Sequence, residues 1–409
     1  MPPRPKELER DPTEQVEVHR PDDRFLPIRA CELSEALSAD EDALGPSAVE
    51  VRAVAEALLE VIEQEASRFE RELCDHYANF NPDRDTIPRH SARGAERAKE
   101  LARPLLELEY LFGKANFEKL SDVQIDEAVH AANTYGLRIR LHPDQVEELS
   151  IWVRGLKTIE RQRRDFRRLL RRRTVLIPVY RRLAVAFRLK DSPHLVLKLF
   201  KEIPIEDVQA LMPHAEVRMN PFDRLLLLGG GAGTVGSTAA KVLTTVGSAA
   251  AMGKLLWVLI FGLGTLAFRT VMGYRRARSN RDSQRTRHLY YQNLNNNAGV
   301  IHSLTMMTAQ EELKEALMAY AFCMAADERN PIASKEDFKD RIERYLKDRF
   351  DVEVQFDISD ALESLTRLGL WADQARLRVI PASQAVERLR EHWQSRRSQC
   401  YHQDMAQGG

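Results

Sequence analysis

The residues with most chemical potential lie in Gly231-Ala-Gly233-Thr-Val-Gly236, a GxGxxG pattern shortly after the run Leu225–Leu228. In a dinucleotide site such glycines let the backbone approach a pyrophosphate, and an acid about twenty residues on holds the ribose. Here the next acid is Asp282. Read instead as a phosphate loop, the segment has Ser237 where the lysine belongs. A different use fits better. Gly229, Gly233 and Ser237, and Gly236 with Ala240, recur every four residues, a spacing that lets two membrane helices pack closely. Cys74-Asp-His76 is the densest metal-type cluster and has no further ligands at a known spacing. With no HExxH, nucleophile elbow or paired-carboxylate motif, the expectation is no catalytic residue, no metal and no cofactor.

Charge supplies the next signal. Residues 1–150 hold 19 bases and 33 acids, residues 151–300 hold 27 and 9, and the remainder 15 and 19. The positive block contains Arg161–Arg173 (RQRRDFRRLLRRR). Arg167, Arg168, Arg171 and Arg172 are its candidate contacts with anionic lipid or a partner. The same roles are assigned to Lys198, Lys201, Asn295, Asn296, Asn297, Arg275 and Arg276. A single aromatic, Phe166, makes no stacking ladder for a nucleic-acid strand, so nucleic acid is the disfavoured partner.

From Arg224 to Arg281 there is no Asp or Glu over 58 residues. A carboxylate in hydrocarbon costs about 2.5–3.5 kcal/mol, so the stretch predicts a two-helix transmembrane hairpin over residues 225–273. At about 1.5 Å per residue its arms would span about 33 Å and 27 Å, enough for a core of about 30 Å. Lys241 and Arg269 can snorkel. Arginines flank both ends and only Lys254 sits between the arms, which predicts that both soluble parts face the cytoplasm.

These groups need positioning. Residues 1–24 read as a flexible lead-in without a signal peptide, and 25–135 as an acidic helical region. There Ser47 and Glu50 suggest a capping box. Val51, Val54, Leu58, Ile62, Phe69, Leu73 and Tyr77 recur at helical steps, up to a stop at Asn81-Pro82. Further helices are expected at 91–101, 105–120 and 123–133. Residues 136–221 read as a basic mixed α/β unit, with strands at 137–141, 149–153, 174–190 and 194–201 and a short helix at 205–211. Pro178 should confine its strand to an edge or a kinked pairing. A basic, Asn-rich connector (274–304) with a turn at Asn297–Gly299 leads to a winged-helix-like domain (305–396). Its expected elements are helices at 308–325 and 334–349, a strand at 352–356, a helix at 359–368 stopped by Gly369, a hairpin and a last helix at 383–393. Residues 397–409 form a tail. Cys31, Cys74, Cys323 and Cys400 match no disulfide framework.

Four stretches together resemble an uncharacterised membrane-protein family related to transmembrane protein 143. They are Asp23–Leu37 (DRFLPIRACELSEAL), Leu195–Pro213 (LVLKLFKEIPIEDVQALMP), Tyr290–Val300 (YYQNLNNNAGV) and Glu312–Tyr320 (ELKEALMAY). The resemblance implies a protein with two membrane helices in its second half and carries over no catalytic residue. The resulting expectation is an α+β, mainly helical protein of the bacterial inner membrane, acting as a scaffold or partner-binding module, with the lipid bilayer and a protein partner or second copy as contacts. The alternatives are an enzyme at the membrane surface using the N-terminal or α/β region, and a soluble nucleotide-binding protein using Gly231–Gly236.

Overall fold

The apolar recurrence after Ser47 becomes a 27-residue helix, and its buried stripe dictates much of what surrounds it. The structure, a computed structural model, describes residues 21, 24–87, 95–125, 138–140, 146–165, 171–190, 192–205, 208, 216–218, 292–326 and 331–407. It is mixed α+β and divides into two compact units. The first joins residues 1–18, 122–144 and 204–293. Its described pairing is β2 (Arg138–Arg140) antiparallel to β6 (Glu216–Arg218). The second joins 19–121, 145–203 and 294–409.

In the second unit come α1 (Ala30–Ala39), α2 (Glu41–Leu44), α3 (Val51–Tyr77) and α4 (Ala95–Lys114), then β1 (Glu118–Lys119), β3 (Val146–Asp165), β4 (Arg171–Leu189) and β5 (Leu195–Pro204). After β7 (Asn293–Asn296) follow α5 (Ala298–Ala325), α6 (Lys335–Phe350), α7 (Ile358–Arg367), β8 (Trp371–Asp373), β9 (Arg378–Val379) and α8 (Ala382–Gln407). Of the seven spaced residues, all but half-buried Phe69 are buried on α3. A 3-10 turn, Pro46–Glu50, precedes α3, so Glu50 rather than Ser47 stands at its N-cap, without a side-chain bond. The helix also stops at Tyr77, before Asn81-Pro82.

Two apolar clusters form the core. One gathers the first half of α3 (Val54, Leu58, Ile62), the second half of α5 and the C-terminal helices. The other gathers Leu73 and Tyr77 with α4, the sheet and Val300, Ile301 and Leu304 of α5. Within it Phe112 stacks on Trp152 at 4.2 Å. α3 and α5 run through both. α5 is buried along most of its length, as expected of a helix apolar all round. The expected helices at 91–101 and 105–120 are one helix, because burial of Leu101, Leu108, Leu111 and Phe112 offsets the roughly 3 kcal/mol that an interior proline costs; the proline is Pro104.

The sheet runs β1-β3-β4-β5-β7. Register in the β3–β4 hairpin runs from Val146 opposite Leu189 to Asp165 opposite Arg171. β4 lies between β3 and β5 in the sheet order, and Pro178 lies in its distal half opposite Thr158. β5 has ten residues against nineteen in β4, and β1 meets only Trp152 and Val153. Among the described residues, the distal half of the hairpin thus outruns its neighbours as a two-stranded ribbon.

α6 and α7 match their expected ranges, capped by Ser334 and Asp357, and α7 gives way at Gly369 with φ +67°. Residues 352–356 form no strand; the Phe356 N–H is instead taken by Glu343 Oε1 at 2.8 Å. α5 begins ten residues before the expected Thr308. Among the described residues no helix is long and apolar enough to cross a membrane. The expected hairpin 225–273 lies outside them, as do most of the helices expected at 123–133 and 205–211.

Candidate functional site

On α5 the run Glu311-Glu-Leu-Lys-Glu315 places charge where the helix is otherwise apolar. Lys314 and Glu311 are almost fully buried and pair at 2.7 Å. Together they hold both backbone groups of one residue. Lys314 Nζ donates to the Leu26 carbonyl at 2.6 Å, and the Leu26 N–H donates to Glu311 Oε2 at 3.2 Å. The Phe25 ring lies between two cations, 5.0 Å from Lys314 Nζ and 4.2 Å from the Arg154 guanidinium. Arg154 donates to the Ala115 carbonyl at 3.1 Å. Burial pulls Arg154 down to about 10 and lowers Lys314, against the pull of Glu311. Glu315, which accepts from Asn116 Nδ2 at 3.2 Å, is pushed well up by burial. A buried charge is tolerable only when paired and hydrogen-bonded, and this cluster meets that condition.

A second polar centre surrounds Asn297, at the junction of β7 and α5. Its N–H donates to the Leu197 carbonyl at 2.8 Å, and its Oδ1 accepts from the Leu197 N–H at 3.1 Å and Tyr77 Oη at 3.2 Å. Tyr77 Oη also meets the Leu195 carbonyl at 2.6 Å. Asn297 Nδ2 donates to Asp83 at 2.5 Å. With φ +47° and ψ −121°, its backbone is in a region that side chains rarely adopt, held by the four of these bonds that Asn297 itself makes.

A third cluster joins helices distant in sequence. Arg367 of α7 contacts Glu65 of α3 and Glu312 of α5. His392 lies 2.9 Å from Glu65, and Ser364 Oγ donates to Glu312 at 3.0 Å. Burial raises the Glu312 carboxyl, with Ser364 and Lys114 opposing. Lys114 reaches Asp360 at 3.1 Å and Glu363 at 2.9 Å. Burial lowers the Lys114 ammonium, but these carboxylates outweigh it and raise it overall. The charged side of α7 is thus engaged within the protein.

The sequence-derived positions divide sharply. Asn297 is buried, so it cannot offer a partner its side chain; its role is to tie β5 to α5. Half-buried Asn295 bonds Ser303 Oγ, while Asn296 is exposed. On β5, Lys198 is half-buried and Lys201 exposed. Arg171 and Arg172 stand in the ribbon opposite Asp165 and Arg164, and Arg163 stands opposite Arg173. Gly229, Gly233, Gly236, Ser237, Ala240, Arg167, Arg168, Arg275 and Arg276 lie outside the described residues. Cys31, Cys74 and Cys323 are free thiols, and burial raises Cys323 to about 12. His76 is engaged by Glu107 at 2.8 Å; among the described residues no group of three or more metal-type ligands forms.

Sequence reasoning missed Glu311, Glu65, Asp83 and the Leu26 clamp. The one signal was indirect: Leu26 and Lys314 lie in the first and fourth stretches that carry the resemblance, and Leu197 and Asn297 in the second and third. In space those stretches meet pairwise. A family model described as a protein of unknown function (DUF3754) matches residues 179–299, under a third of the chain. The match runs from Val179 in β4 through the Leu195–Leu197 segment to Gly299, two residues past Asn297. No solved structure matches the chain.

Proposed function

We propose that the protein is a membrane-anchored, non-enzymatic scaffold or partner-binding module, with its folded parts on the cytoplasmic face of a bacterial inner membrane. The observation that carries this reading is the register of the distal ribbon, where Arg163 faces Arg173 and Arg164 faces Arg172. Like charges directly opposite destabilise an antiparallel pair, and anionic headgroups beside them would offset that repulsion. The 58-residue acid-free stretch supports an anchor, as does the resemblance to the family related to transmembrane protein 143. The buried groups of α5 and Asn297 serve the fold, which suits a scaffold better than a reaction centre. The winged-helix-like order of α5 to α8 suits protein contact or self-association, since α7 carries Asp360 and Glu363 where phosphate contact would want cations.

Cell fractionation with an alkaline wash tests the anchor. The full chain should stay with membranes, and a chain lacking residues 225–272 should be released. The ribbon is tested on the shortened chain with vesicles. Arg163→Glu with Arg172→Glu should abolish sedimentation with phosphatidylglycerol vesicles. Recovery of the full chain in the soluble fraction would overturn the reading.

A further inference from the structure

The strained backbone of Asn297 brings two reactive groups of the chain together. At an L residue the Cβ lies a third of a turn from the backbone nitrogen, viewed along the Cα–C bond. A ψ of −121° therefore brings Asn297 Cβ almost into line with the nitrogen of Ala298. Turning χ1 by about 60° from a staggered rotamer lays Cγ against that nitrogen and closes a five-membered ring. In helix or strand backbone the same atoms stand well apart. Ala298 is the first residue of α5, so no carbonyl within the helix takes its N–H.

The side chain is also set up electrostatically. Asn297 Oδ1 accepts from the Leu197 N–H at 3.1 Å and faces Tyr77 Oη at 3.2 Å. The single Tyr77 proton is shared with the Leu195 carbonyl at 2.6 Å. Attack at Cγ puts negative charge on Oδ1, which draws that proton over. These two donors make an oxyanion hole, aimed where charge develops. On the other side, Asn297 Nδ2 donates to the exposed carboxylate of Asp83 at 2.5 Å, a group that can carry a proton to a departing amine.

We propose that Asn297 is a self-modifying residue that loses its side-chain amide through a cyclic imide with Ala298. The bond from Ala298 N to Asn297 Cγ forms and the Cγ–Nδ2 bond breaks. The proton lost by Ala298 leaves on Nδ2, by way of Asp83, as ammonia. One water then opens the imide to aspartate or isoaspartate. The product sets a carboxylate against Asp83 at the point that ties β5 to α5. The junction is weakened once in each molecule, irreversibly, at a rate that the fold sets. None of these residues belongs to the ribbon or the acid-free stretch, so the site is independent of the membrane reading.

Peptide mass mapping of the full chain, incubated near neutral pH folded and in guanidinium, tests this. Asn297 should convert roughly 10-fold or more faster in the fold than in denaturant. It should also outpace Asn295 and Asn296, which lie in the extended backbone of β7. Heavy-oxygen water should label the product, and hydroxylamine should cut the chain after Asn297 while the imide is present. Asp83→Asn, at an exposed position, and the buried Tyr77→Phe should each slow the folded rate roughly 10-fold and leave the rate in denaturant unchanged. The converted protein, separated by its added charge, should unfold at a lower denaturant concentration. Conversion no faster in the fold than in denaturant overturns the proposal. So do Asn295 and Asn296 keeping pace with Asn297, an Asp83→Asn protein that converts at the wild-type rate, or converted protein that unfolds like the original.

Discussion

Lys314 donates a hydrogen bond to the carbonyl of Leu26 from 288 residues away, while its ion-pair partner Glu311 accepts from the N–H of the same Leu26. One buried ion pair thus holds both backbone polar groups of one residue. Removing a single member leaves a buried charge unpaired, which costs about 3–5 kcal/mol. Lys314→Met should lower the urea midpoint by that equivalent. Lys314→Met with Glu311→Leu should recover at least half of the loss, since the remaining cost is the orphaned Leu26 groups. A double-mutant cycle showing strict additivity would remove the coupling inferred here.

Glu315 predicts a pH dependence. Burial raises its folded carboxyl above the ordinary value of 4.5, with Glu311, Asp360 and Asp357 adding to the shift and Asn116 opposing it. The folded state therefore holds this proton more tightly than the unfolded state. Stability from this group is present at low pH and declines as pH climbs above about 4.5 toward the folded value. Glu315→Gln keeps an acceptor for Asn116 and has no proton to lose. Relative to wild type it should match at pH 4 and gain steadily toward pH 7.5 in denaturant midpoint. Parallel profiles would show that Glu315 is charged in the fold.

Asn297 and Asp83 form a donor–acceptor pair whose polarity can be reversed. Asn297→Asp places a carboxylate against Asp83 and should destabilise by about 2–3 kcal/mol near neutral pH, more than at pH 4. Adding Asp83→Asn restores one donor between the two positions. Melting curves should show most of the loss recovered in the double variant and little change in Asp83→Asn alone. Equal losses from Asn297→Asp at both pH values would point to backbone geometry instead.

Gly155 sits in β3 with φ +60°, where a Cβ would lie 2.9 Å from Arg181 Cδ. The arginine side chain can move away; the backbone cannot. Gly155→Ala should therefore cost about 1–2 kcal/mol, and adding Arg181→Ala should recover almost none of it. Full rescue by the second change would assign the cost to the contact.

Regular elements were legible wherever burial followed the chain's own period. The stripe from Val51 to Tyr77, the alternation in Leu195–Lys201 and the stop at Gly369 all mark real elements. Legibility failed where tertiary packing overrode a local signal. Pro104 reads as a break, yet apolar neighbours keep it helical. Pro178 reads as a mark of an edge strand, yet β4 lies between β3 and β5 in the sheet order, which the sequence does not reveal. The sites were harder still. Glu311 and Lys314 look like solvated helix charges in sequence, and only a partner 285 residues away from Glu311 makes their burial tolerable. Asn297 stands out in sequence as a turn residue and a candidate lipid or partner contact, while its side-chain bonds point inward.

The clamp on Leu26 also sets an order of events during synthesis. At about 5–20 residues per second, α5 emerges from the ribosome roughly 15–60 s after Leu26 does. Until then the first helices lack the element that passes through both apolar clusters. The acid-free stretch emerges within that interval, before the unit that brackets it in sequence can close. Any cellular machinery that acts on nascent apolar segments therefore meets this one while the protein's folded part is still open.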